Sequence, residues 1–376
     1  MICKIFFIVL ICSIGTIHSL LNVQDFIDSI LINEKNKINL IENDPILFQR
    51  IYNYFQLHYR KENFNKKVDW KKSERTQIFK SNLKYVLQHN ENPLNTFKLK
   101  INEMSDWTDY ERDQLRTKIT NEPLNRNQLI QSRQHIQIPD FYDWTNQNRV
   151  PGAVTPVKNQ RHCGSCYAFA MVGALEKTYA QIYNQSGPLS PQELIDCSYA
   201  NGCEGGSFTD TFNYIRDNGF RLNLEKDYPS TIDGKQREKC EKKTGVLLSF
   251  NSKYPLQYEQ LPSEDETYMK QVVYTRGPIY FSFNCGKREG NDTILREVSN
   301  KFDHYASGIF DVPGCPAYRN MNHALVIVGY GTENGIDYWK VKNSWGTSWG
   351  DNGYIKIRRN KNMCGIASYP YYVGLF

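Results

Sequence analysis

The stretch Gln160–Ala170, which reads QRHCGSCYAFA, constrains this 376-residue chain more than any other part of it. Gly164 and Ser165 precede Cys166, and apolar residues recur at helical spacing from Tyr167 onward. The pattern predicts a helix that begins at Cys166. The unpaired N–H groups and the dipole at a helix N-terminus stabilise an anion, so this thiol is favoured as a nucleophilic thiolate. A cysteine nucleophile also needs a general base and a group that orients the base.

The four residues CGSC fit two other kinds of site as well. A Cys-x-x-Cys pair at the start of a helix is typical of a thioredoxin-type redox centre, and it can also supply half of a zinc site. A zinc site needs about two further ligands from a second close pair, and the sequence contains no second CxxC and no HxxxH. Zinc binding is therefore disfavoured, whereas the motif alone leaves the redox and nucleophilic interpretations open.

Composition and charge narrow the class of protein. The chain is 40% apolar and 13% aromatic, which is ample for a packed globular core in one large domain or two. The formal net charge of +6 is spread along the sequence without a basic block. This distribution disfavours a nucleic-acid-binding platform.

Residues 1–19 have the pattern of a secretory signal peptide. Lys4 precedes an apolar run from Ile5 to Ile14, and the small residue Ser19 follows it. The run is too short to span a membrane. We therefore expect a chain without a membrane anchor that enters the secretory pathway and reaches the lysosome or the exterior, where disulfides persist.

Residues 20–137 contain no cysteine, whereas eight of the ten cysteines lie after them. Helical periodicity places one set of large side chains on a single face: Phe48, Ile51, Tyr52, Phe55 and Tyr59. A second helix is predicted from residues at intervals of four, three, four and four: Arg75, Phe79, Asn82, Val86 and Asn90. The segment is thus predicted to be helical and distinct from the cysteine-containing part of the sequence.

The second helical pattern resembles the ERFNIN motif of cathepsin L-like propeptides, with Lys71 and Val86 as departures. The sequence LKINEMSDW resembles their GxNxFxD segment, with Lys100 and Met104 in place of Gly and Phe. This resemblance implies that residues 20–137 form an inhibitory propeptide. The polar tract 121–137 is then its cleavable linker.

From Ile138 the sequence IPDFYDWTNQNRVPGAVTPVKNQ is similar to the mature N-terminus of papain-like proteases, and CGSCY matches the signature around their nucleophile. Later runs such as HALVIVGYG and DYWKVKNSWG have the composition of strands. The resemblance implies an α+β papain-like fold with two lobes, a helical left lobe and a β-barrel-like right lobe. Residues 138–376 are the expected mature peptidase domain.

His323 and Asn343 lie 157 and 177 residues beyond Cys166, in MNHALVIVGYG and KNSWG. A lone His beside a strand is more often structural, but both local sequences resemble those around the papain-family catalytic His and Asn. The resemblance implies that Cys166 is the nucleophile, His323 the base and then the acid, and Asn343 the orienting amide. It also implies that Gln160 and the backbone N–H of Cys166 stabilise the oxyanion, and that Trp345 shields the His–Asn bond. No metal or cofactor is expected.

The resemblance also assigns substrate-binding residues. Gly205 and Gly206 are expected to form an edge that pairs with extended substrate. The pocket for the second residue before the cut bond is expected from Phe208, Ser282, Met321 and Ala324, with Ser207 at its rim and Tyr369 as a candidate floor. None of these side chains is acidic, so an apolar preference is predicted.

The family pattern pairs Cys163 with Cys203, Cys197 with Cys240, and Cys315 with Cys364. Cys285 is left over as a buried thiol. The sequons at Asn184 and Asn291 are candidates for glycosylation.

The sequence therefore predicts a monomeric cysteine endopeptidase made as a zymogen, acting on peptides and proteins and inhibited by its own propeptide. The family pattern is broken at Tyr167, Ala170 and Asn322, none of which removes a catalytic group. Two alternatives remain open: a catalytically weak homologue that serves as a binding or allergen-like surface protein, and a redox Cys-x-x-Cys protein.

Overall fold

A computed structural model describes residues 22–32, 34, 36–60, 74–117, 119, 121, 123–124, 137–146, 149–231, 233–241, 244–249 and 255–376. The chain divides into two compact units, Met1–Thr108 and Asp109–Phe376. The predicted signal peptide, Lys71 and most of the tract 121–137 lie outside the described residues. The division falls before the predicted propeptide boundary, so residues 109–137 belong to the second unit.

The first unit is helical, as predicted. Its elements are α1 (Val23–Ile30), α2 (Lys37–Asn43), α3 (Pro45–Tyr59), α4 (Glu74–Glu91) and the short strand β1 (Phe97–Leu99). The Asp44 side chain accepts hydrogen bonds from the backbone N–H groups of Ile46 and Leu47, and Pro45 occupies the first turn, where it removes no helical hydrogen bond. The predicted apolar face of α3 is buried except for Tyr59, which is half-buried.

The polar residues of the α4 pattern tie this helix to the segment after it. Asn82 donates to the carbonyl of Ser105 at 2.9 Å, and Asn90 donates to the carbonyl of Leu99 at 2.8 Å. Arg75 donates to the carbonyl of Asp106 at 3.2 Å. The spacing of these three polar residues therefore follows from the backbone carbonyls to which they donate, and not from apolar packing alone.

The second unit contains α5 (Asp109–Asp113), α6 (Cys166–Tyr183), α7 (Pro191–Cys197), α8 (Phe208–Asp217), α9 (Glu266–Thr275) and α10 (Thr293–Asp303). The helix predicted from Cys166 thus begins there and ends at Asn184, whose φ of 50° is left-handed. Ser190 caps α7 through the N–H of Glu193, and Pro191 follows it, as the sequence pattern predicts. The helix α6 is buried from Cys166 to Ala180, so it lies in the core of this unit.

The strands are β2 (Tyr142–Asp143), β3 (Arg221–Leu222), β4 (Val246–Leu247), β5 (Gln257–Gln260), β6 (Ile279–Phe283), β7 (Tyr305–Phe310), β8 (His323–Glu333), β9 (Ile336–Lys342), β10 (Tyr354–Arg358) and β11 (Pro370–Gly374). Their order in the main sheet of the second unit is β7-β10-β9-β8-β6-β11-β5, with β2 on β8, while β3 and β4 pair separately. β7 and β10 are parallel and the other described pairs are antiparallel. The order does not return on itself, so the expected barrel-like lobe is an open mixed sheet and not a closed barrel.

Strand β8 positions the site. It is buried from His323 to Gly331, pairs with β6 so that Phe283 opposes His323, and packs against α6, where a Cβ added to Gly173 would lie 3.1 Å from Val326. The N-terminus of α6 and the start of β8 are thereby placed side by side. Among the described residues, no helix is both long and apolar enough to cross a bilayer.

The cysteine pairs are Cys163–Cys203, Cys197–Cys240 and Cys315–Cys364, and the described free thiols are the buried Cys166 and Cys285. These are the three pairs that the family resemblance implies. Asn184 and Asn291 are exposed, and their glycosylation stays a prediction.

Candidate active site

Cys166 is the first residue of α6 and is wholly buried. The preceding turn is held by the Cys163–Cys203 disulfide and by a hydrogen bond of 3.0 Å from the N–H of Gly164 to the carbonyl of Cys203. A Cβ at Gly164 would lie 2.1 Å from the Thr117 methyl group and 2.5 Å from the Cys203 carbonyl oxygen. Only Gly fits there, which explains the residue type next to the cysteine motif.

His323 and Asn343 are joined by a hydrogen bond of 2.8 Å between Nε2 and Oδ1. The same Oδ1 accepts the backbone N–H of Ser344 at 2.7 Å, so it is an acceptor and Nε2 carries the proton. The basic atom of the neutral ring is then Nδ1, which has no hydrogen-bond partner among the described residues. Trp345 packs on this pair with its ring 4.9 Å from the imidazole and is 2% exposed.

The thiol and the imidazole are both neutral in this form of the chain. Burial raises the pKa of Cys166 to about 11, although a hydrogen bond from the Ala324 backbone acts in the opposite direction. Burial lowers the pKa of His323 to about 3, against the effect of its hydrogen bond to Asn343. The expected thiolate–imidazolium pair is therefore not favoured here, because the site is closed to water.

The site is covered by a segment that precedes the predicted mature domain, of which residues 114–117, 119, 121 and 123 are described. The N–H groups of Thr117 and Ile119 donate to the carbonyls of Asn322 and Met321 at 2.9 and 3.3 Å. Further along, Ser282 donates to the Asn121 side chain at 2.5 Å. These described residues thus bond to the site through backbone groups, as a peptide substrate would.

Gln160 lies next to Cys166 with a fixed amide orientation. Its Oε1 accepts the hydroxyl of Ser344 at 2.6 Å, while its Nε2 donates to the carbonyls of Cys163 and Leu115 at 2.9 and 3.1 Å. The Leu115 carbonyl belongs to the covering segment and stands in for the oxygen of a substrate carbonyl. Its position favours the predicted role of Gln160 as an oxyanion donor.

Two of the predicted pocket residues, Ser282 and Ala324, oppose each other on β6 and β8, and Ser282 also contacts Asn121 of the covering segment. Phe208 heads α8 and stacks on Tyr371 with ring centroids 4.3 Å apart. Ser282, Met321 and Ala324 are buried. Tyr369 is half-buried and lines an open cavity of about 570 Å³ with Met321 and Ile119, which suits its expected place at the pocket floor.

Ser207 and the two glycines before it have clear structural roles. Ser207 is 4% exposed and its hydroxyl caps α8 by accepting the N–H of Asp210, while its place at the pocket rim stays a prediction. Gly205 has a φ of 124°, and a Cβ at Gly206 would lie 2.4 Å from Ala200, so both positions require glycine. This backbone strip remains a predicted edge for substrate.

Asn322, the residue before His323, has a structural explanation for its departure from the family pattern. Its Oδ1 accepts from the backbone N–H and the thiol of Cys285 at 3.2 and 3.3 Å, and its Nδ2 donates to the carbonyl of Gly286 at 2.6 Å. A carboxylate could not make the last bond. Cys285 is therefore a buried thiol held by the residue next to the histidine.

A buried ionic cluster beside the site was missed by the sequence analysis. Arg112 donates to Asp303 at 3.1 Å, and Arg116 donates to Asp303 and, at 2.9 Å, to Ser299. Arg112 and Asp303 are wholly buried and Arg116 is 7% exposed. Arg112 lies on α5 and Arg116 lies after its end, so no local pattern in the sequence indicated that both would reach Asp303.

The cluster predicts a specific dependence of stability on pH. Burial raises the pKa of Asp303, but Arg116 and Arg112 lower it more, to about 2. A carboxyl with a depressed folded-state pKa stabilises the fold above its unfolded value of about 3.9 and loses that contribution as the pH falls through the folded value. We expect Asp303→Asn to lower the free energy of unfolding of the precursor by about 3–5 kcal/mol at pH 7 and almost as much at pH 5.

The measurement is urea unfolding of both proteins from pH 8 to pH 3. The difference should shrink only below about pH 4, and Asp140→Asn, at a fully exposed carboxylate, serves as the control. A difference already lost at pH 5 would contradict the assignment of Asp303 as a buried anion.

Comparison with known proteins places the chain among proteases. A model described as papain family cysteine protease matches residues 138–374, and one described as cathepsin propeptide inhibitor domain (I29) matches residues 69–111. Cysteine proteinase COT44 of Brassica napus is 37% identical over 340 residues, which are 85% of this chain and 95% of that protein. Cathepsin L1 of Drosophila melanogaster is 42% identical over 229 residues, 58% of this chain and 55% of that protein. The chain thus spans little more than half the length of that relative.

Solved structures agree with this similarity. The structure of digestive procathepsin L 3 from the larval midgut of Tenebrio molitor is 29% identical and has a TM-score of 0.70. The likeness covers 88% of this chain and 99% of that chain, and so includes both units.

Proposed function

We propose, from the premise that this chain belongs to the papain family of cysteine proteases, that it is the precursor of a cathepsin L-like endopeptidase. Residues 138–376 are the proposed peptidase, and residues 20–137 are the propeptide that is removed from it. Two sets of contacts carry the proposal: the bond between His323 and Asn343 at the start of β8, and the bonds of Gln160 to the turn before Cys166 and to a peptide carbonyl of the covering segment.

Removal of the covering segment opens the site to water and to substrate. Both pKa values then move towards their ordinary range because burial is what displaces them. The Cys166 proton passes to Nδ1 of His323, and the dipole of α6 stabilises the thiolate. The thiolate–imidazolium pair is thus a property of the processed form.

The proposed reaction has two halves. The Cys166 thiolate attacks the peptide carbonyl carbon, and the resulting oxyanion accepts hydrogen bonds from Gln160 Nε2 and the Cys166 backbone N–H. His323 gives its proton to the leaving amine nitrogen as the C–N bond breaks, which leaves a thioester. Water then attacks the thioester carbon while His323 takes its proton, and the acid product leaves with return of the thiolate. Asn343 and Trp345 orient and shield the imidazole throughout.

The oxyanion role predicts the effect of Gln160→Ala. We expect kcat of the processed enzyme to fall about 100-fold to 1,000-fold, with little change in KM, because the lost bond forms mainly in the transition state. Gln181→Ala on the exposed side of α6 is the matched control. Steady-state kinetics of the three proteins measure the effect, and an unchanged kcat in Gln160→Ala would remove Gln160 from the mechanism.

The pocket formed by Phe208, Ser282, Met321 and Ala324 predicts specificity at the second residue before the cut bond. Leu or Val should be preferred, and both should be ahead of Phe if Tyr369 makes the pocket shallow. Arg should be disfavoured because burying a charge without a partner costs several kcal/mol. A library of peptides varied at this position measures the preference. Arg equal to or better than Leu would show that the walls are wrongly assigned.

The same library tests the function. Acid-treated protein should hydrolyse peptides, and alkylation of its thiol should stop the reaction. Absence of hydrolysis by correctly folded processed protein would favour the alternative, a weak homologue that acts as a binding or allergen-like surface protein. We also infer a secretory route to the lysosome or exterior, a monomeric enzyme, and peptide or protein substrates, on the pattern of residues 1–19 and the family membership.

A further inference from the structure

We propose that the mature peptidase has a subsite, formed by Asp303, Ser299 and Trp345, for the side chain of a substrate arginine located after the scissile bond. The inference rests on the proposed function, since it names a class of substrate for that same site. It concerns the side of the cleft opposite to the apolar pocket.

The site is already built and holds a guanidinium. Arg116 Nη2 donates both to Asp303 and to Ser299, and Ser299 in turn donates to Asp303 at 3.3 Å. The guanidinium carbon lies 5.6 Å from the centre of the Trp345 ring. A carboxylate, a hydroxyl and an aromatic face together satisfy both the hydrogen bonds and the planar shape of an Arg side chain.

The present occupants leave when the enzyme is processed. Arg112 and Arg116 both belong to the segment before residue 138, whereas Asp303, Ser299 and Trp345 belong to the peptidase. Release therefore takes two guanidiniums away from a wholly buried carboxylate and a wholly buried hydroxyl. A substrate guanidinium can take the place of Arg116 with the same bonds.

The position of Thr117 shows which side of the scissile bond this site serves. The Thr117 methyl group lies against the turn just before Cys166, 2.1 Å from where a Cβ of Gly164 would be, and residues after Thr117 contact Met321 and Ser282 on the wall of the apolar pocket. Arg116, before Thr117, contacts the opposite side. That side is lined by Trp345, which packs on His323, the proposed donor of the proton to the leaving amine. A substrate binds with its N-terminal part in the apolar pocket, so its residues after the cut bond lie near Asp303. The covering segment places its earlier residues near Asp303 and its later residues near the pocket, and therefore runs in the opposite direction to a substrate.

Charged groups of the peptidase also face Asp303. Arg288 is 7% exposed and donates to Asp109 at 2.8 Å, and the buried His304 contacts the Asn300 carbonyl at 3.0 Å through Nδ1. Burial lowers the pKa of His304 to about 3, so this ring brings no positive charge to Asp303 at neutral pH. Asp109 leaves with the propeptide, so Arg288 loses this partner. Arg288 can then compete with a substrate arginine for Asp303.

The test compares arginine with citrulline, which has the same shape and no charge. Fluorogenic peptides carry Leu at the second residue before the cut bond and either Arg or citrulline at the first, second or third residue after it. With processed enzyme we expect kcat/KM to be about 10-fold to 100-fold higher for Arg than for citrulline at one of these positions. Equal values at all three would overturn the proposal and would mean that Arg288 has taken the site.

A variant then assigns the effect to the carboxylate. Asp303→Asn should bring the Arg-to-citrulline ratio close to one, and Asp140→Asn should leave it at the wild-type value. A ratio that persists in folded Asp303→Asn would overturn the role of Asp303, and Ser299→Ala gives a second, smaller test if that protein does not fold. Failure of the wild-type enzyme to hydrolyse any peptide would defeat the proposed function, and this inference with it, whereas hydrolysis without preference defeats the inference alone.

Discussion

Cys166→Ala is expected to abolish peptide hydrolysis by the processed enzyme, with a fall in kcat on the order of a million-fold. In the proposed mechanism the thiolate at the start of α6 attacks the substrate carbon, and Ala offers no replacement. The fold should persist, since the disulfide Cys163–Cys203 and the Gly164 turn do not depend on the thiol. Activity assays together with thermal unfolding measure both effects.

The chain offers a matched control in its other described free thiol. Cys285 is wholly buried, donates to Asn322, and has its pKa raised to about 12 by burial. Cys285→Ala should therefore keep most of the activity. Hydrolysis retained by Cys166→Ala, or lost only in Cys285→Ala, would disprove the assignment of the nucleophile.

The cysteine pairing separates this mechanism from a redox function. Cys163 is bonded to Cys203, so it does not form a redox couple with Cys166 in the structure. Peptide mapping under non-reducing conditions should recover this pair. Cys163 recovered free or joined to Cys166 would instead support the redox interpretation.

The uncut chain is expected to be about a thousand-fold less active at neutral pH than the processed enzyme. Thr117 and Ile119 bond to the carbonyls of the two residues before β8, and the Leu115 carbonyl bonds to Gln160, so substrate has no access to the buried thiol. A tethered segment acts at an effective concentration on the order of millimolar, which keeps a site of micromolar affinity almost fully occupied. Peptidase assays before and after acid treatment measure the latency, and mass spectrometry should find the new N-terminus between about residues 127 and 139.

Arg116 provides the control for this prediction. Arg116→Ala should raise the activity of the uncut chain, because it removes the bonds to Ser299 and Asp303 that hold the covering segment. The exposed Arg161→Ala should leave the latency unchanged. Full activity of uncut wild-type protein at neutral pH would contradict an inhibitory role for this segment.

Acid is not expected to release the segment through Asp303. The pKa of this carboxyl, held at about 2 by Arg116 and Arg112, keeps it ionised at pH 4 to 5. The pKa of Asp109 is also lowered, because the effect of burial is outweighed by Arg288 and Arg296, so this carboxylate keeps its pairs in weak acid. Removal of the carboxylate by Asp109→Asn should therefore weaken latency at pH 5 more than acid does in the wild-type chain.

The sequence by itself determined the features that depend on neighbouring residues. The start of α6 at Cys166, the cap and proline of α7, and the buried face of α3 all follow from local spacing, because helix termini and amphipathic faces are set within a few residues. The motifs around His323 and Asn343 identified the candidate base and orienting amide from the sequence, and the structure places them 2.8 Å apart. Contacts between residues far apart in the sequence, such as the disulfides and the His323–Asn343 pair, were predicted only where the family resemblance named both partners.

The tertiary structure alone decided the features that depend on burial and on distant partners. It opened the expected barrel into a mixed sheet, turned Ser207 into a helix cap, and placed the Leu115 carbonyl on Gln160. It also brought Arg116 to Asp303, 187 residues away in sequence, and closed the site so that Cys166 and His323 are neutral. Desolvation and ion pairing depend on what surrounds a group in three dimensions, and no local pattern of residues records that environment.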